Sequence, residues 1–416
     1  MLRQGLSADC GAPSTSYSLA SQTPCSRTGF GRVIPRNVQR RHRSHEFSLW
    51  RGETPIPKNH QPSVVPGART VATPLLSKEK IVDRLRNGVH DAAAAHHGAF
   101  YSSELGGIVT DPAFMVIHMD DHMVHRGHGV FDTVLLTDGF LYQLPRHLER
   151  FKRSAEQAGL VMPKSDEAIM RIILDTAAAS RNLNGIVRYW VTAGRGGFGL
   201  STRECTEPGF YAMCTSTNVV LRDSVDRTKG YRACTSPITP HGYPFATIKS
   251  NNYLRNALCL MDAENRGYDV GVFVDEEGHV QEGPNMNLAI ITHDDVLITP
   301  PADGCLEGIT MQRLLELIPE EAARSPNDVL VRDIVRQPLS VEDVLGAREA
   351  FLTGSTLRVM PLVALDDTPI ADGQAGITAL AFDSMLVEDM KPGDKGGPEH
   401  LVVPYGYMTG MLDQLR

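Results

Sequence analysis

Thr247-Ile248-Lys249-Ser250-Asn251-Asn252-Tyr253 is the stretch on which the reading of this chain turns. Lys249 stands just past a short apolar run and just before a helix expected to begin near Tyr253. An ordinary lysine is a solvated charge on the outer face of a helix. A lysine in the turn that feeds one, beside Ser250, Asn251 and Asn252, can present its amine to a small electrophile.

Outward from that turn, Leu254, Leu258 and Met261 mark one face of the helix, expected to run from Tyr253 to Arg266 and to stop at Gly267. Before it, a strand is expected near Tyr231, and the polar run from Leu221 to Gly230 reads as a domain boundary. After it, strands are expected at 270–274, 279–281, 287–292, 296–299, 330–335 and 350–353, and a helix at 310–318. Gly and Pro crowd the segment from Lys391, which reads as a tail. The preceding half has the same mixed character. Ile81, Val82, Leu85 and Val89 recur at helical spacing and predict one helix from Lys78 to Ala95, and 114–119 reads as a strand. Val130–Leu136 and Phe140–Gln143 flank Asp138-Gly139, a strong hairpin signal. Pro145 opens a helix with Leu148, Phe151, Ala155 and Ala158 on one stripe, and Ser165 caps another reaching Ala179. Strands at 185–193 and 210–215 follow. The expected fold is α+β in two domains, 77–221 and 229–390, with residues 391–416 as tail.

The first 45 residues differ from the rest. They carry seven arginines, among them Arg36, Arg40 and Arg41, against the single acid Asp9, and are rich in Ser, Thr, Gly and Pro. Such a leader reads as an organelle transit peptide, and it lacks the apolar centre of a secretory signal. Residues 46–76, with Pro55, Pro57, Pro62, Pro66 and Pro74, read as an extended linker. A net charge of -8 disfavours a nucleic-acid partner. No run approaches the ~18 apolar residues of a membrane span. The seven cysteines are widely spaced with no C-x-x-C pair, against both a disulfide framework and a zinc site.

Two patterns are decoys. Gly194 to Gly199 fits G-x-G-x-x-G after a strand, but a dinucleotide site needs a helix to open from those glycines, and Pro208 leaves little room for one. His118, Asp120, Asp121, His122, His125 and His128 crowd one stretch without a metal-ligand spacing. They read as a polar turn with histidines bonded to backbone, and no metal is expected.

Six stretches in order carry a resemblance: RGHGVFDT at Arg126, HLERFKRSA at His147, IKSNNYLRN at Ile248, EGPNMNLA at Glu282, LEGIT at Leu306 and TGSTLRVMP at Thr353. Together they resemble the class IV aminotransferases, the fold-type IV family that uses pyridoxal 5'-phosphate (PLP). The segment from Met115 most resembles the plant plastid D-amino-acid transaminase-like branch. The resemblance implies that Lys249 forms the Schiff base with PLP, that Glu282 pairs with the pyridine nitrogen and that Leu306 packs on the ring. It implies that Arg150, Ile309 and Thr310 bind the phosphate, with Thr356 and Ser355 completing the cup. Bacterial D-amino-acid transaminases trap the substrate carboxylate with a tyrosine, an arginine and a histidine. Here Phe131 stands at the tyrosine position, and Phe198 and Leu200 fall where the other two would be. Arg188 and Arg195 are the candidate replacements. The implied activity is transamination of D-amino acids with a 2-oxo acid acceptor. The alternatives are a lyase converting 4-amino-4-deoxychorismate to 4-aminobenzoate and pyruvate, a pattern echoed in Gly196 to Gly199, and transamination of branched-chain L-amino acids. A homodimer is implied, as is an address in the plastid or, failing that, the mitochondrion.

Overall fold

The computed structural model describes residues 73–216, 225–325, 329–393, 397 and 399–413. The arginine-rich leader, its linker up to residue 72 and residues 217–224, which include the start of the boundary run from Leu221 to Gly230, lie outside the described residues.

Ser77 caps the first helix, its Oγ accepting from Lys80 N–H at 3.4 Å. The expected single helix is two, α1 (Lys78–Asn87) and α2 (Asp91–His96), because the chain turns at Gly88, whose N–H returns to Arg84 O at 2.8 Å. Strands β1 (His97–Ser102) and β2 (Gly107–Val109) follow. The strand expected at 114–119 does not form. Asp111 caps a single 3-10 turn opened by Pro112, and the chain leaves it without pairing into either sheet. After the short α3 (His122–Arg126), β3 (Gly129–Thr137) and β4 (Phe140–Tyr142) make the expected hairpin. Its turn residues Asp138 and Gly139 both take positive φ, 46° and 82°, as a primed turn requires. Helices α4 (Leu144–Gln157) and α5 (Asp166–Ser180), the latter capped by Ser165, precede β5 (Gly185–Thr192) and β6 (Gly209–Ser216). Between β5 and β6 only a 3-10 turn at Thr202–Glu204 forms, so no helix opens from the glycine run.

The second half comprises β7 (Tyr231–Thr235), α6 (Leu254–Asn265), β8 (Val270–Val272), β9 (Glu282–Gly283), β10 (Met286–Ile291) and β11 (Val296–Thr299). Next come α7 (Ile309–Arg324), β12 (Asp333–Arg336), α8 (Val341–Leu345), β13 (Glu349–Gly354), β14 (Arg358–Leu365), β15 (Thr368–Pro369) and α9 (Ile377–Asp389). The segment read as a tail contributes β16 (His400–Val402) and α10 (Tyr405–Asp413). Its apolar side chains explain this: Val403 and Met408 are buried in the same core as α5.

The fold is α+β. The first sheet is antiparallel throughout, in the order β16-β4-β3-β5-β6-β1-β2. Helices α4 and α5 bury Phe151, Ala155, Ile169 and Ile173 with Val134 and Val187 of that sheet. Removing the fully buried Phe151 ring would cost about 3–5 kcal/mol. The second sheet runs β12-β11-β10-β13-β14-β7-β8, with β9 and β15 beside β10 and β14, and it mixes parallel and antiparallel pairs. Leu288 and Ile290 of β10 enter one core, and Ala289 and Ile291 enter another with α7 and α9. Both faces are covered, so the strand reads as a continuous apolar run. Among the described residues no helix is long and apolar enough to cross a membrane.

Candidate active site

Lys249 is held by its backbone. Its N–H donates to Ser154 Oγ of α4 at 3.1 Å, and its carbonyl accepts from Phe131 N–H of β3 at 2.9 Å. Asn251 N–H donates to Gly129 O at 3.0 Å, so the turn pairs with the start of β3. The lysine side chain is left to point elsewhere. Nζ donates to Tyr253 Oη at 3.2 Å and lies 4.9 Å from the centre of the Phe131 ring.

That amine borders a cavity of 570 Å³. Glu282 lines the same cavity, on β9. Burial pushes its carboxyl up to about 8, against the Leu306 N–H and the charges of Lys249 and Arg150. Its Oε2 lies 3.3 Å from both Leu306 N and Asn287 Nδ2, and Asn287 also donates to Leu306 O at 2.7 Å. A Cβ at Gly308 would stand 1.8 Å from Asn287 Oδ1, so the close approach requires glycine there.

Gly308 is also the N-cap of α7, and no side chain caps that helix. Gly308, Ile309 and Thr310 line the cavity, as do Arg150 and the turn Thr353-Gly354-Ser355-Thr356. Uncapped first-turn N–H groups with their dipole, and a forked guanidinium, are donors suited to a phosphate. Thr353 Oγ1 is buried with no hydrogen-bond partner among the described residues. These donors, an acid and a primary amine around one cavity fit a phosphorylated aromatic aldehyde such as the resemblance implies. Leu306 lines the same cavity.

The remaining wall comes from β3 and β5. Phe131, Thr133, Arg188 and Trp190 line the cavity, while Val187, Tyr189 and Val191 face the core, as strand alternation dictates. Arg188 Nε donates to Thr133 Oγ1 at 3.1 Å, and its guanidinium lies 5.4 Å from the Phe131 ring centre. Burial pushes its pKa down. Arg195, the other candidate for the substrate carboxylate, is a correction. It does not line this cavity. It is bidentate to Asp120 at 2.9 and 3.0 Å and reaches Glu104 at 3.5 Å, because Asp120, in the turn before α3, takes up its guanidinium. The other candidates border one cavity.

Several cavity or supporting residues escaped the sequence reading: Tyr253, Thr353, Asn287, Ser154 and Asp132. The last had a visible signal, since it stands among Val130, Val134 and Leu136 on the apolar face of a strand. In the histidine stretch, His122 and His128 bring their Nδ1 atoms to 3.2 Å, and His128 Nε2 meets the backbone at Ala158 O, 2.9 Å away. Among the described residues no group of three or more His, Cys, Asp or Glu is arranged to hold a metal ion.

Residues 129–365 match the family model for amino-transferase class IV. The chain is 38% identical over 333 residues to a chloroplastic D-amino-acid transaminase of Arabidopsis thaliana, covering 80% of this chain and 86% of that one. A putative branched-chain-amino-acid aminotransferase of Methanocaldococcus jannaschii is 28% identical, over 65% of this chain and 90% of its own. Among solved structures, the branched-chain amino acid aminotransferase of Escherichia coli aligns with a TM-score of 0.64 at 21% identity, over 74% of this chain and 99% of that one. That of Thermoproteus uzoniensis, solved with norvaline, aligns with a TM-score of 0.63 at 21% identity, over the same 74% and 99%. These two support the fold alone.

Proposed function

The chain belongs to the class IV aminotransferases, and from that premise we propose that it transaminates D-amino acids with a 2-oxo acid as acceptor. Enzymes of this family use PLP. When bound, that cofactor supplies a sink for the electrons released at the substrate Cα and carries the amino group from donor to acceptor. The observation that carries the reading is the sharing of one cavity by Lys249 and Glu282, with Arg150 and the uncapped start of α7.

Lys249 Nζ would carry the proton between the substrate Cα and the cofactor carbon that takes up the amino group. Tyr253 Oη accepts from Nζ and orients it. Glu282 would hold the ring nitrogen by a hydrogen bond, and Leu306 would pack on the ring. Arg150, the N–H groups of Ile309 and Thr310, and the hydroxyls of Thr310, Ser355 and Thr356 bind the phosphate. Arg188 grips the substrate carboxylate, with Phe131 and Trp190 excluding water beside it. The D-amino-acid preference is supported by the plant relative.

Branched-chain L-amino acids are the second reading. Its support is a relative of that name and the apolar wall formed by Trp190, Phe245 and Leu260. A homodimer completes the proposal, supported by exposed Tyr243, Phe245, Leu254 and Met261 around α6. A plastid address is supported by the arginine- and serine-rich leader and by the chloroplastic relative.

Purified protein is incubated with PLP and 2-oxoglutarate plus either D-alanine or L-leucine, and separately with 4-amino-4-deoxychorismate. Pyruvate formed from D-alanine supports the proposal. Turnover of L-leucine alone, or of the chorismate derivative alone, rejects it. Lys249→Ala should abolish turnover, and borohydride should no longer fix the cofactor to the chain.

A further inference from the structure

Asp132 has no part in the chemistry above, and its location is costly. It is fully buried in β3, where a carboxylate without partners is strongly disfavoured. Its partners come from α4. Arg150 donates Nε–H to Oδ2 at 2.9 Å and Nη2–H to Oδ1 at 2.7 Å, and His147 Nδ1 lies 2.9 Å from Oδ1. Burial works against the charge, but Arg150 and His147 outweigh it and hold the carboxyl well below the usual carboxylate range.

A guanidinium has five N–H bonds. On Arg150 two go to Asp132, and a third, on Nη1, goes to Glu307 O at 3.1 Å. His147 Nδ1 also lies 3.4 Å from Nη2, but it donates to the Asp132 carboxylate and cannot accept as well, so one N–H remains on each terminal nitrogen. With the Nε–Nη2 edge occupied, the Nη1–Nη2 end is the part left for a ligand, and Arg150 lines the cavity. Glu307 immediately precedes the N-cap Gly308, so the same guanidinium is tied to the start of α7.

We propose that Asp132 is a positioning residue: it grips the Nε–Nη2 edge of Arg150 so that the open end of the guanidinium meets the cofactor phosphate together with the first-turn N–H groups of α7. This rests on the reading of Arg150 as a phosphate ligand. Without the carboxylate the guanidinium is free to rotate and to pair elsewhere. The loss falls on the phosphate and leaves recognition of the ring intact.

The test compares PLP with pyridoxal, which lacks the phosphate. Full-length protein freed of cofactor is titrated with each, following fluorescence quenching, and the ratio of the two Kd values is the readout. General loosening of the fold weakens both ligands alike and leaves that ratio unmoved. Asp132→Asn should lower the preference for PLP at least about tenfold, with the pyridoxal Kd within about twofold of wild type, a loss typical of one charge-assisted hydrogen bond. Arg150→Met should lower it at least as far, and Asp132→Asn/Arg150→Met should match Arg150→Met. A wild-type ratio in Asp132→Asn, alongside a collapsed ratio in Arg150→Met, overturns the positioning role. An unchanged ratio in Arg150→Met overturns instead the phosphate reading of Arg150. If Asp132→Asn alone does not fold, Asp132→Glu, which keeps the buried charge but shifts the grip on Arg150, is measured in its place: a lowered ratio supports the positioning role and a wild-type ratio overturns it. A double-variant ratio below that of Arg150→Met refutes action through Arg150.

Discussion

Thr353→Val should stabilise the cofactor-free protein and weaken its grip on PLP, two effects of opposite sign from one atom. Thr353 lies fully buried near the end of β13 and lines the cavity, and its Oγ1 is buried without a hydrogen-bond partner among the described residues. An unsatisfied buried hydroxyl costs about 1–3 kcal/mol, and the lower end applies to one beside a cavity that admits water. Valine keeps the shape and removes that cost, so the gain is about 1 kcal/mol. With an unfolding entropy of about 2.1 cal/mol/K per residue, a chain of this length should melt roughly 1–2 °C higher. In the loaded protein the phosphate cup of Ser355 and Thr356 would extend to the nearby Thr353 hydroxyl, and as a donor to a charged group it would be worth about 1.5–3 kcal/mol. Its loss should weaken PLP by about 10- to 150-fold. Differential scanning fluorimetry of the stripped protein gives the first quantity, and fluorescence titration with PLP gives the second. A stripped variant melting below wild type, or a PLP Kd within about twofold of wild type, would refute the assignment of this hydroxyl to the cofactor.

Glu282 governs a pH effect. Its folded-state carboxyl lies at about 8 against an ordinary 4.5, so between those values the folded chain holds a proton that the unfolded chain releases. Stability of the cofactor-free protein should therefore fall as pH rises through that window, by up to about 1.4 kcal/mol per pH unit, and level off above it. Glu282→Gln should flatten this slope, which melting curves at several pH values would reveal. Arg188→Lys keeps a charge but loses the fork, and should raise KM for the amino acid about tenfold or more while leaving PLP affinity unchanged. Steady-state kinetics beside a PLP titration separates the two. Arg195→Ala should leave both KM and kcat unchanged and cost at most about 1 kcal/mol of stability, since its partners Asp120 and Glu104 lie at the surface.

Much of the site was legible because the chemistry is written in local segments. The lysine in the turn before α6, the acid opening EGPNMNLA and the Gly-Ile-Thr helix start were read together, through the family resemblance that their ordered segments carry. The failures share one cause. Arg195 was a cation beside a glycine-rich loop, and nothing local says that Asp120, 75 positions earlier, takes up its guanidinium. Asp132 stood on the apolar face of a strand in sequence, whereas Arg150 stood among polar neighbours of its helix. The burial of the arginine, its pairing with Asp132 and the edge it uses all come from the contact between β3 and α4.

Periodicity, caps and the Asp138-Gly139 turn were enough to draw most helices and strands, because backbone preferences and amphipathic spacing act over a few residues. The strand at 400–402 could not be drawn that way, since it is short and exists through its pairing with β4, some 260 positions earlier. The same holds at the centre of the site. Residue type put an amine at 249 and a carboxyl at 282, but their meeting across one cavity, and the rise of the carboxyl to about 8 there, come from packing two sheets together. Distance, burial and the exclusion of water belong to the assembled chain, and each is a sum over neighbours that no short segment contains.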